Sequence, residues 1–158
     1  MTLYHASNVE VKIPMLVESN RMLDFGPGFY TTTNCGQAKY FAKGVVAKRG
    51  GVPMINTYVF DEAAFSECLV RRFDSPSEEW LDFVAEHRSG RYIGVQYDLI
   101  VGPVANDNVY ATIGLYMRGF LSKEATIDEL RVKKLYDQVV FATPKAFRYL
   151  RHVSTETL

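Results

Sequence analysis

Three short segments carry side chains that could bind a ligand or do chemistry. The first is Leu3–Ser7, in which His5 is followed by two small residues, Ala6 and Ser7. This arrangement leaves open backbone beside an imidazole, a ring that can donate or accept a hydrogen bond. Most histidines in such a setting pack in the interior or cap a turn, so the segment alone leaves both interpretations open.

The second segment runs from a glycine-rich turn, Gly26-Pro27-Gly28, into a predicted strand. Glycines allow a sharp turn and a close approach of other groups. Side chains alternate along a strand, so Phe29 and Tyr30 should lie on opposite faces. Tyr40 follows ten residues after Tyr30, on the predicted next helix. Two tyrosines placed this way can sandwich a flat heterocycle, and two core tyrosines are the equally open alternative.

The third segment is Leu135–Phe141, a predicted strand with a polar Asp137-Gln138 step ahead of its apolar part. A glutamine amide donates from one end and accepts at the other, so Gln138 can bind a sugar hydroxyl. An ordinary polar residue of an edge strand is the alternative interpretation.

Other enzyme templates are absent from the sequence. It has no GxSxG, HExxH, Walker loop or GxGxxG before a helix. The three histidines are far apart, and neither Cys35 nor Cys68 belongs to a CxxC pair. We therefore expect no metal site and two reduced cysteines, as is usual in the cytosol.

Short strands mixed with helices must position these segments. Loop residues are expected over Asn8–Asn20, and Gly102-Pro103 should end the fifth strand. Strands are predicted at Thr2–His5, Phe29–Thr33, Met54–Asp61, Cys68–Phe73, Tyr97–Val101, Tyr136–Ala142 and Arg151–Thr155. Helices are predicted at Cys35–Arg49 with Asn34 as cap, from Ser75–Glu79 onward, at Asp107–Arg118, at Ser122–Leu130 and from Pro144 to about Leu150. The order lacks strict strand–helix alternation, which favours an α+β domain with a largely antiparallel, split sheet.

Composition bounds the class of protein. The 158 residues carry 18 basic and 18 acidic side chains, with 47% apolar and 23% charged residues. These values predict one globular domain over 1–158 and exclude a disordered tail, a collagen-like rod or a coiled coil. Zero net charge argues against a protein that wraps nucleic acid along a whole face. With no signal peptide and no apolar run of about 20 residues, we expect a cytoplasmic protein that does not span a membrane.

Charge is unevenly distributed along the chain. Residues 58–90 hold eight acidic and three basic side chains, and residues 117–152 hold eight basic and four acidic ones. Solvated helix faces explain such segments in most proteins, and a partner-binding or substrate-steering surface is the alternative.

Taken together, the three segments resemble the ADP-ribosyltransferase superfamily on its poly-ADP-ribose polymerase and diphtheria-toxin side. That side carries a His, a Tyr and a Glu on three strands. His5-Ala6-Ser7 stands where the pattern has His-Gly-Ser or His-Gly-Thr, and Gly26–Thr31 with Gln37–Tyr40 matches the Gly-x-Gly strand and following helix. Asp137–Phe141 matches the strand led by Glu. More closely, the chain is similar to a bacterial domain-of-unknown-function family numbered 3990, over about residues 1 to 152.

The resemblance implies a split sheet of six or seven strands with NAD in the cleft between its halves. It implies that His5 bonds the adenosine-side ribose, that the Ala6 backbone binds the carboxamide, that Tyr30 and Tyr40 flank the nicotinamide, and that Gln138 holds the 2′-hydroxyl of the nicotinamide ribose. The implied catalytic residues are His5, Tyr30 and Gln138. The implied NAD-binding set is His5, Ala6, Ser7, Gly28, Tyr30, Thr31, Gln37 and Tyr40.

The chain departs from the superfamily pattern at two positions. Ala6 replaces Gly, which keeps the backbone groups but adds a methyl beside the carboxamide. Gln138 replaces the usual Glu and cannot take a proton from an acceptor. Either the acceptor is already nucleophilic, or a nearby acid, Asp24 or Asp137, substitutes. Asp137 should point to the opposite face from Gln138, so Asp24 is preferred, with a turn residue as its ordinary role.

These features support three hypotheses. The first is an NAD-dependent ADP-ribosyltransferase without a metal, acting on an unidentified protein or nucleic-acid acceptor as the toxin of a bacterial toxin–antitoxin pair. The second is a non-catalytic module that binds NAD or ADP-ribose, suggested by Gln138. The third is an interaction domain with a decayed cleft, suggested by the uneven charge.

Overall fold

A computed structural model describes residues 1–17, 22–103, 107–133 and 135–158. The last three residues of the loop predicted over 8–20 lie outside these ranges. Seven strands occur in the described part of the chain: β1 (Thr2–Ser7), β2 (Phe29–Thr32), β3 (Met54–Phe60), β4 (Val70–Arg72), β5 (Leu99–Pro103), β6 (Asp137–Phe141) and β7 (Leu150–Thr157). Six helices accompany them over the same ranges: α1 (Cys35–Arg49), α2 (Ala64–Glu67), α3 (Glu78–Arg88), α4 (Asp107–Met117), α5 (Lys123–Arg131) and α6 (Pro144–Phe147).

The strands form one mixed sheet in the order β4-β5-β6-β2-β1-β3-β7. Neighbouring strands are antiparallel except β4 and β5, which pair in parallel across the α3 crossover. The α+β class and the mostly antiparallel pairing predicted from the sequence are confirmed.

The junction between β1 and β2 is the weakest in the sheet. These strands share one registered pair, Tyr4 with Thr32, whereas β1 and β3 share six and β2 and β6 share four. Two well-paired groups of strands therefore diverge from a narrow contact. The helix α1, which follows β2, packs along β1 beside this divergence.

The two faces of the sheet carry separate apolar clusters. Phe29 belongs to a cluster with Tyr58 and Phe141, and Tyr30 packs against the cluster of Trp80 and its neighbours on the other face. The alternation predicted at the start of β2 is thus confirmed. It presents Tyr30 on the face of the sheet that also carries helices α3, α4 and α5.

Among the helix starts that the structure describes, three have side-chain caps. Asn34 accepts a hydrogen bond from the Gln37 amide at 2.8 Å, as predicted for the start of α1. Ser77 and Ser122 cap α3 and α5 in the same way. The cap at Asn34 fixes α1 directly after β2, and this sets where the side chains of that helix meet β1.

Several predicted element boundaries were wrong. Strand β5 continues through Gly102 and Pro103 because these residues pair with Gln138 and Asp137 of β6. Helix α6 is only four residues long, since Leu150 already pairs with Phe60 in β7. The short helix α2 was not predicted, and β4 is shorter at both ends than the strand expected over Cys68–Phe73.

Candidate functional site

A cleft of about 590 Å³ lies between α1 and the strands β1, β2 and β6, and we call it the α1 cleft. Its volume falls in the range of small-molecule sites, about 300–1,000 Å³. It brings together eight of the ten site residues predicted from the sequence, namely His5, Ala6, Asp24, Tyr30, Thr31, Gln37, Tyr40 and Gln138. Residues from distant parts of the sequence therefore share one concave surface.

His5 is held in β1 with one ring nitrogen committed. Its Nδ1 lies 2.8 Å from the Tyr30 carbonyl oxygen, which can only accept, so we assign the proton to Nδ1. The ring stacks on Phe29 with centroids 4.1 Å apart. Burial lowers the pKa of His5, opposed by the bond to Tyr30 and reinforced by the charge of Arg49. The imidazole is thus neutral at pH 7, and Nε2 is a hydrogen-bond acceptor.

The second nitrogen of His5, Nε2, is not committed to a protein group in the described part of the chain. The described residues provide no partner for Nε2, and none of their buried polar side-chain atoms lacks a partner. Nε2 is therefore accessible rather than buried. Because His5 lines the α1 cleft, this accessible acceptor can take a hydrogen bond from a ligand hydroxyl.

Tyr30 is anchored by its hydroxyl and offers its ring to the cleft. The hydroxyl donates to the Gly26 carbonyl at 2.6 Å and accepts from the Phe25 amide at 3.1 Å. Burial raises the pKa of Tyr30, so the phenol stays protonated. Because the Tyr30 oxygen is hydrogen-bonded within the turn, the aromatic ring is the part of the side chain that can contact a ligand.

The two glycines of the turn make the close approaches that the sequence predicted. Gly26 has a φ of 77°, and a Cβ there would lie 2.7 Å from Cδ2 of His87. A Cβ on Gly28 would lie 2.4 Å from Cγ1 of Val140. Gly28 therefore lets β2 approach β6.

Two members of the predicted NAD-binding set are not among the cleft-lining residues. Gly28 packs on β6, and Ser7 is buried with its hydroxyl accepting from the Val9 amide at 3.2 Å. The sequence pattern gave no means of separating such supporting residues from those at the surface of the cleft.

Gln138 occupies the centre of the sheet on β6, paired with Thr32 on one side and Gly102 on the other. It is 4% exposed, and its Nε2 donates to the Pro103 carbonyl at 3.4 Å. Its Oε1 has no partner among the described residues, and because buried polar atoms there are all paired, this oxygen is accessible from the cleft. Gln138 therefore presents an acceptor to a ligand.

The polar part of the cleft beside Gln138 is formed by Gln37, Thr31 and Thr32. The Thr32 hydroxyl lies 3.0 Å from Oε1 of Gln37 and 2.8 Å from the Asp137 carbonyl oxygen. The Thr31 hydroxyl donates to the Val139 carbonyl at 2.6 Å. These bonds tie β2, β6 and the first turn of α1 together.

Tyr40 lies about one turn beyond Gln37 along α1 and is 62% exposed. It lines the same cleft as Tyr30, but from the helix side. The two tyrosines are thus surface-lining residues of the cleft, and neither belongs to the fully buried interior.

Asp24 lines the cleft as a carboxylate that is already paired. It is 3% exposed, and its Oδ1 lies 2.6 Å from Nε of Arg88. The Arg88 guanidinium also covers the Tyr110 ring at 3.5 Å, and Tyr110 lines the cleft as well. The Arg88 guanidinium thus occupies one oxygen of this carboxylate. The auxiliary-acid role of Asp24 stays a prediction, whereas Asp137 is exposed and is not among the residues that line the cleft.

The cleft also contains residues that the sequence did not identify as site residues, among them Tyr110, Lys43, Lys48 and Arg49. Nothing in the spacing of α4 indicated that Tyr110 would face β2. A signal for the three cations did exist, because α1 carries four basic residues and no acidic one. That excess was overlooked beside the larger charged segments.

The described residues hold no group of three or more histidine, cysteine or carboxylate side chains that could hold a metal ion. Over the same ranges, every helix is too short or too polar to cross a bilayer. What the cleft provides is aromatic surface, two hydrogen-bond acceptors and cationic side chains. Such a site suits a ligand with a flat ring, hydroxyls and negative charge.

The fold and the cleft define an α+β protein with a mixed seven-stranded sheet in its described part and a concave site beside the β1–β2 junction. The chain belongs to the family described as "Protein of unknown function (DUF3990)", whose model matches residues 1–152. The family predicted from the sequence is thereby confirmed. No curated protein and no solved structure matches the chain significantly.

Proposed function

We propose that this chain is a cytoplasmic NAD-dependent ADP-ribosyltransferase that transfers ADP-ribose to a protein or nucleic-acid acceptor and releases nicotinamide. One observation carries the proposal: His5 of β1, Tyr30 of β2 and Gln138 of β6 line the same cleft. The resemblance to the superfamily requires these three positions, drawn from three strands, to meet.

The fold is consistent with this proposal. An ADP-ribosyltransferase-like sheet is split, with NAD between the halves. Here β1 and β2 share one registered pair, and the α1 cleft lies where they diverge. The narrow β1–β2 contact is the feature that supports a split sheet of this kind.

The proposed reaction breaks the bond between the nicotinamide nitrogen and C1 of its ribose. The bonding electron pair leaves with the nitrogen, so the cationic ring departs as neutral nicotinamide. Positive charge builds on the ribose, the acceptor nucleophile forms the new bond to C1, and the acceptor loses one proton. Positioning and charge stabilisation therefore contribute more than a strong acid.

Each of the three residues has a part that its geometry suits. Nε2 of His5, an accessible acceptor, bonds a hydroxyl of the adenosine-side ribose. The Tyr30 ring, whose hydroxyl is fixed to the turn, stacks on nicotinamide, with Tyr40 on the other side. Oε1 of Gln138 accepts from the 2′-hydroxyl of the nicotinamide ribose.

The paired state of the cleft carboxylate favours acceptors that need little deprotonation. Gln138 cannot accept a proton, and Asp24 is bound to Arg88. A nucleophile such as an ionised side chain, a phosphate or a nucleobase nitrogen satisfies this requirement.

A second candidate function follows from the same observation. A module that binds NAD or ADP-ribose without turnover needs the ring and hydroxyl contacts but no base. The amide at Gln138 and the ion pair at Asp24 both fit it. A wild-type protein that releases nicotinamide would exclude this alternative.

The proposal is tested by nicotinamide release from NAD, measured with and without bacterial lysate as a source of acceptor. We expect release by the wild type and its loss in His5→Ala and Tyr30→Ala. Matched controls are His152→Ala and Tyr149→Ala, whose polar contacts are to Thr155 and Glu67 outside the cleft. Wild-type release in both cleft variants, or none from the wild-type protein, would overturn it.

The toxin role is tested separately in growing bacteria. Induced expression of the wild-type chain should arrest growth, whereas Tyr30→Ala should not at equal protein level. Co-expression of a small neighbouring reading frame should relieve the arrest if that frame encodes the antitoxin. Normal growth with soluble, NAD-cleaving wild-type protein would refute the toxin role alone.

A further inference from the structure

Helix α1 has an unusual distribution of charge. It carries Lys39, Lys43, Lys48 and Arg49 without any acidic residue, in a chain whose formal net charge is zero. Lys39 and Lys43 are four residues apart, a spacing at which like charges destabilise a helix. The stability of α1 therefore does not explain the pair formed by Lys39 and Lys43.

Local partners account for only part of the excess. Nζ of Lys39 lies 3.3 Å from Oε1 of Glu156, and Lys39 is not among the residues that line the cleft. Lys48 and Arg49 lie in the last turn, where cations complement the helix dipole. Lys43 has neither explanation. Eight ion pairs occur in the described ranges, and none of them involves Lys43, Lys48 or Arg49.

The three cations without an ion pair line the α1 cleft, and we call them the cationic wall. The charge of Arg49 acts on β1, because it adds to the lowering of the His5 pKa that burial causes. The carboxylate that also lines the cleft, Asp24, is offset by Arg88. The cleft therefore carries an excess of positive charge on its helix side.

The positions along α1 separate two ends of the cleft. From Gln37 to Arg49 the helix axis extends about 18 Å at 1.5 Å per residue. Gln37 lies 3.0 Å, through its Oε1, from the hydroxyl of Thr32, the register partner of Gln138, so this end of the helix lies beside Gln138. Lys43 follows about one turn beyond Tyr40. A ligand that fits has a flat group at one end and negative charge several ångströms further along.

We propose that the cationic wall binds the diphosphate of a dinucleotide whose flat base lies against Tyr30. An arginine fork can bind two phosphate oxygens at once, and the lysines act as point charges. The inference deepens the proposed function, on which the identification of the dinucleotide as NAD rests. The diphosphate contact itself depends only on the wall.

Calorimetry on the intact protein tests this role of the wall by measuring the dissociation constants of NAD and of nicotinamide riboside, which lacks phosphate. Inorganic diphosphate is added as a competitor of NAD. The wild type should bind NAD at least about tenfold tighter than nicotinamide riboside, since charge-assisted hydrogen bonds to phosphate are stronger than neutral ones. Inorganic diphosphate should weaken NAD binding, and higher salt should do the same.

The variant is Lys43→Gln, Lys48→Gln and Arg49→Gln combined. Its NAD affinity should fall about tenfold and lose most of its salt dependence, while its affinity for nicotinamide riboside stays within about threefold of wild type. Lys39→Gln, on the same helix but outside the cleft, is the matched control and should behave as wild type. Lys43→Gln alone, an exposed substitution, should give a smaller loss and provides the same test if the triple variant does not fold.

Parallel measurement of nicotinamide release separates the two proposals. If the wild type releases nicotinamide and the triple variant has the same KM for NAD as the wild type, the diphosphate-binding role of the wall is refuted while the proposed function stands. If no nicotinamide is released but binding of NAD depends on the wall, the diphosphate site stands and the transferase proposal falls. The proposal that the cationic wall binds the diphosphate is also overturned if the wild type binds NAD and nicotinamide riboside equally well. The same holds if inorganic diphosphate does not compete with NAD.

Discussion

Tyr30 contributes to the cleft through two separate parts of its side chain. The hydroxyl bridges the Gly26 carbonyl and the Phe25 amide, and the ring lines the cleft. Sequence spacing predicted the ring on the correct face of β2, but the bond back to the turn depends on the conformation of residues 24–28. It could not be inferred from residue types.

Substitution at Tyr30 separates these roles. Tyr30→Phe should lower the free energy of unfolding by about 1–3 kcal/mol, because the turn loses both bonds, while NAD affinity stays close to wild type. Tyr30→Ala should weaken NAD binding about tenfold to hundredfold, since stacking on a base contributes about 1–3 kcal/mol. Urea unfolding and calorimetry measure the two effects. A larger loss of NAD affinity in Tyr30→Phe than in Tyr30→Ala would contradict the assignment.

Gln138 is the residue at which the superfamily resemblance and the structure can be compared most directly. Its amide donates to the Pro103 carbonyl, which a carboxylate cannot do. The sequence showed that glutamine replaces the usual glutamate. It did not show that β5 continues through Pro103 and supplies the acceptor. The amide therefore has a structural partner in this chain in addition to any contact with a ligand.

We expect Gln138→Glu to destabilise the protein by about 1–3 kcal/mol, because a buried carboxylate would face a carbonyl oxygen. Thermal unfolding should show a larger loss at neutral than at mildly acidic pH, where the carboxyl can be protonated and donate. If wild type is inactive and Gln138→Glu gains nicotinamide release, the non-catalytic module is the better account. Unchanged stability at pH 7 would show that the Pro103 contact contributes nothing.

At the scale of elements, local signals predicted α1 and the strands around the cleft better than their neighbours. Asn34 and the apolar spacing after it predicted Cys35–Arg49 with its observed bounds. Gly102-Pro103 was misread because a glycine and proline usually end a strand, whereas here pairing with β6 extends it. Which strands become neighbours depends on tertiary contacts, so the β1–β2 divergence was not visible in local patterns.

Two glycine substitutions test how closely the elements approach. Gly28→Ala should destabilise the protein by about 1–3 kcal/mol, because its Cβ would meet Cγ1 of Val140 at 2.4 Å and push β2 from β6. Gly44→Ala is the matched change within α1, where a Cβ meets nothing within 4 Å. It should stabilise the protein by about 0.5–1 kcal/mol. Chemical unfolding of both variants checks this, and equal effects would contradict the described contact of β2 with β6.

At the scale of the whole molecule, the two charged segments found in the sequence meet at an ion pair. Asp82 of the acidic segment pairs with Lys123 of the basic one at 2.8 Å, as α3 packs near α5. Linear charge counts could not foresee this pairing. The cations without an ion pair that line the cleft lie instead on α1, which belongs to neither segment.

Stability should fall on mild acidification. Burial lowers the pKa of both His5 and His87, so the folded protein keeps them neutral below the pH at which the unfolded chain takes up their protons, about 6.5. Stability is therefore lost as the pH falls from about 7 toward 5, by at most about 1.4 kcal/mol per pH unit and histidine. His5→Gln should reduce this slope in urea unfolding, and an unchanged slope would contradict the assigned state of His5.

Asp98 provides a control with a different pH window. Partial burial raises its pKa, but hydrogen bonds from Thr143 and the Leu69 amide, with the charge of Lys145, outweigh this and lower it below 3.8. Its contribution is present above that pH and is lost as the pH falls through the lowered value. Asp98→Asn should therefore leave the slope between pH 5 and 7 unchanged.

The measurement that tests the central claim most directly is a crystal structure of the intact protein soaked with saturating NAD. The account predicts NAD in the α1 cleft, with nicotinamide stacked on Tyr30, the nicotinamide ribose bonded to Gln138, and Nε2 of His5 on the adenosine-side ribose. A cleft that stays empty at saturating NAD, or NAD bound outside it, would contradict the account.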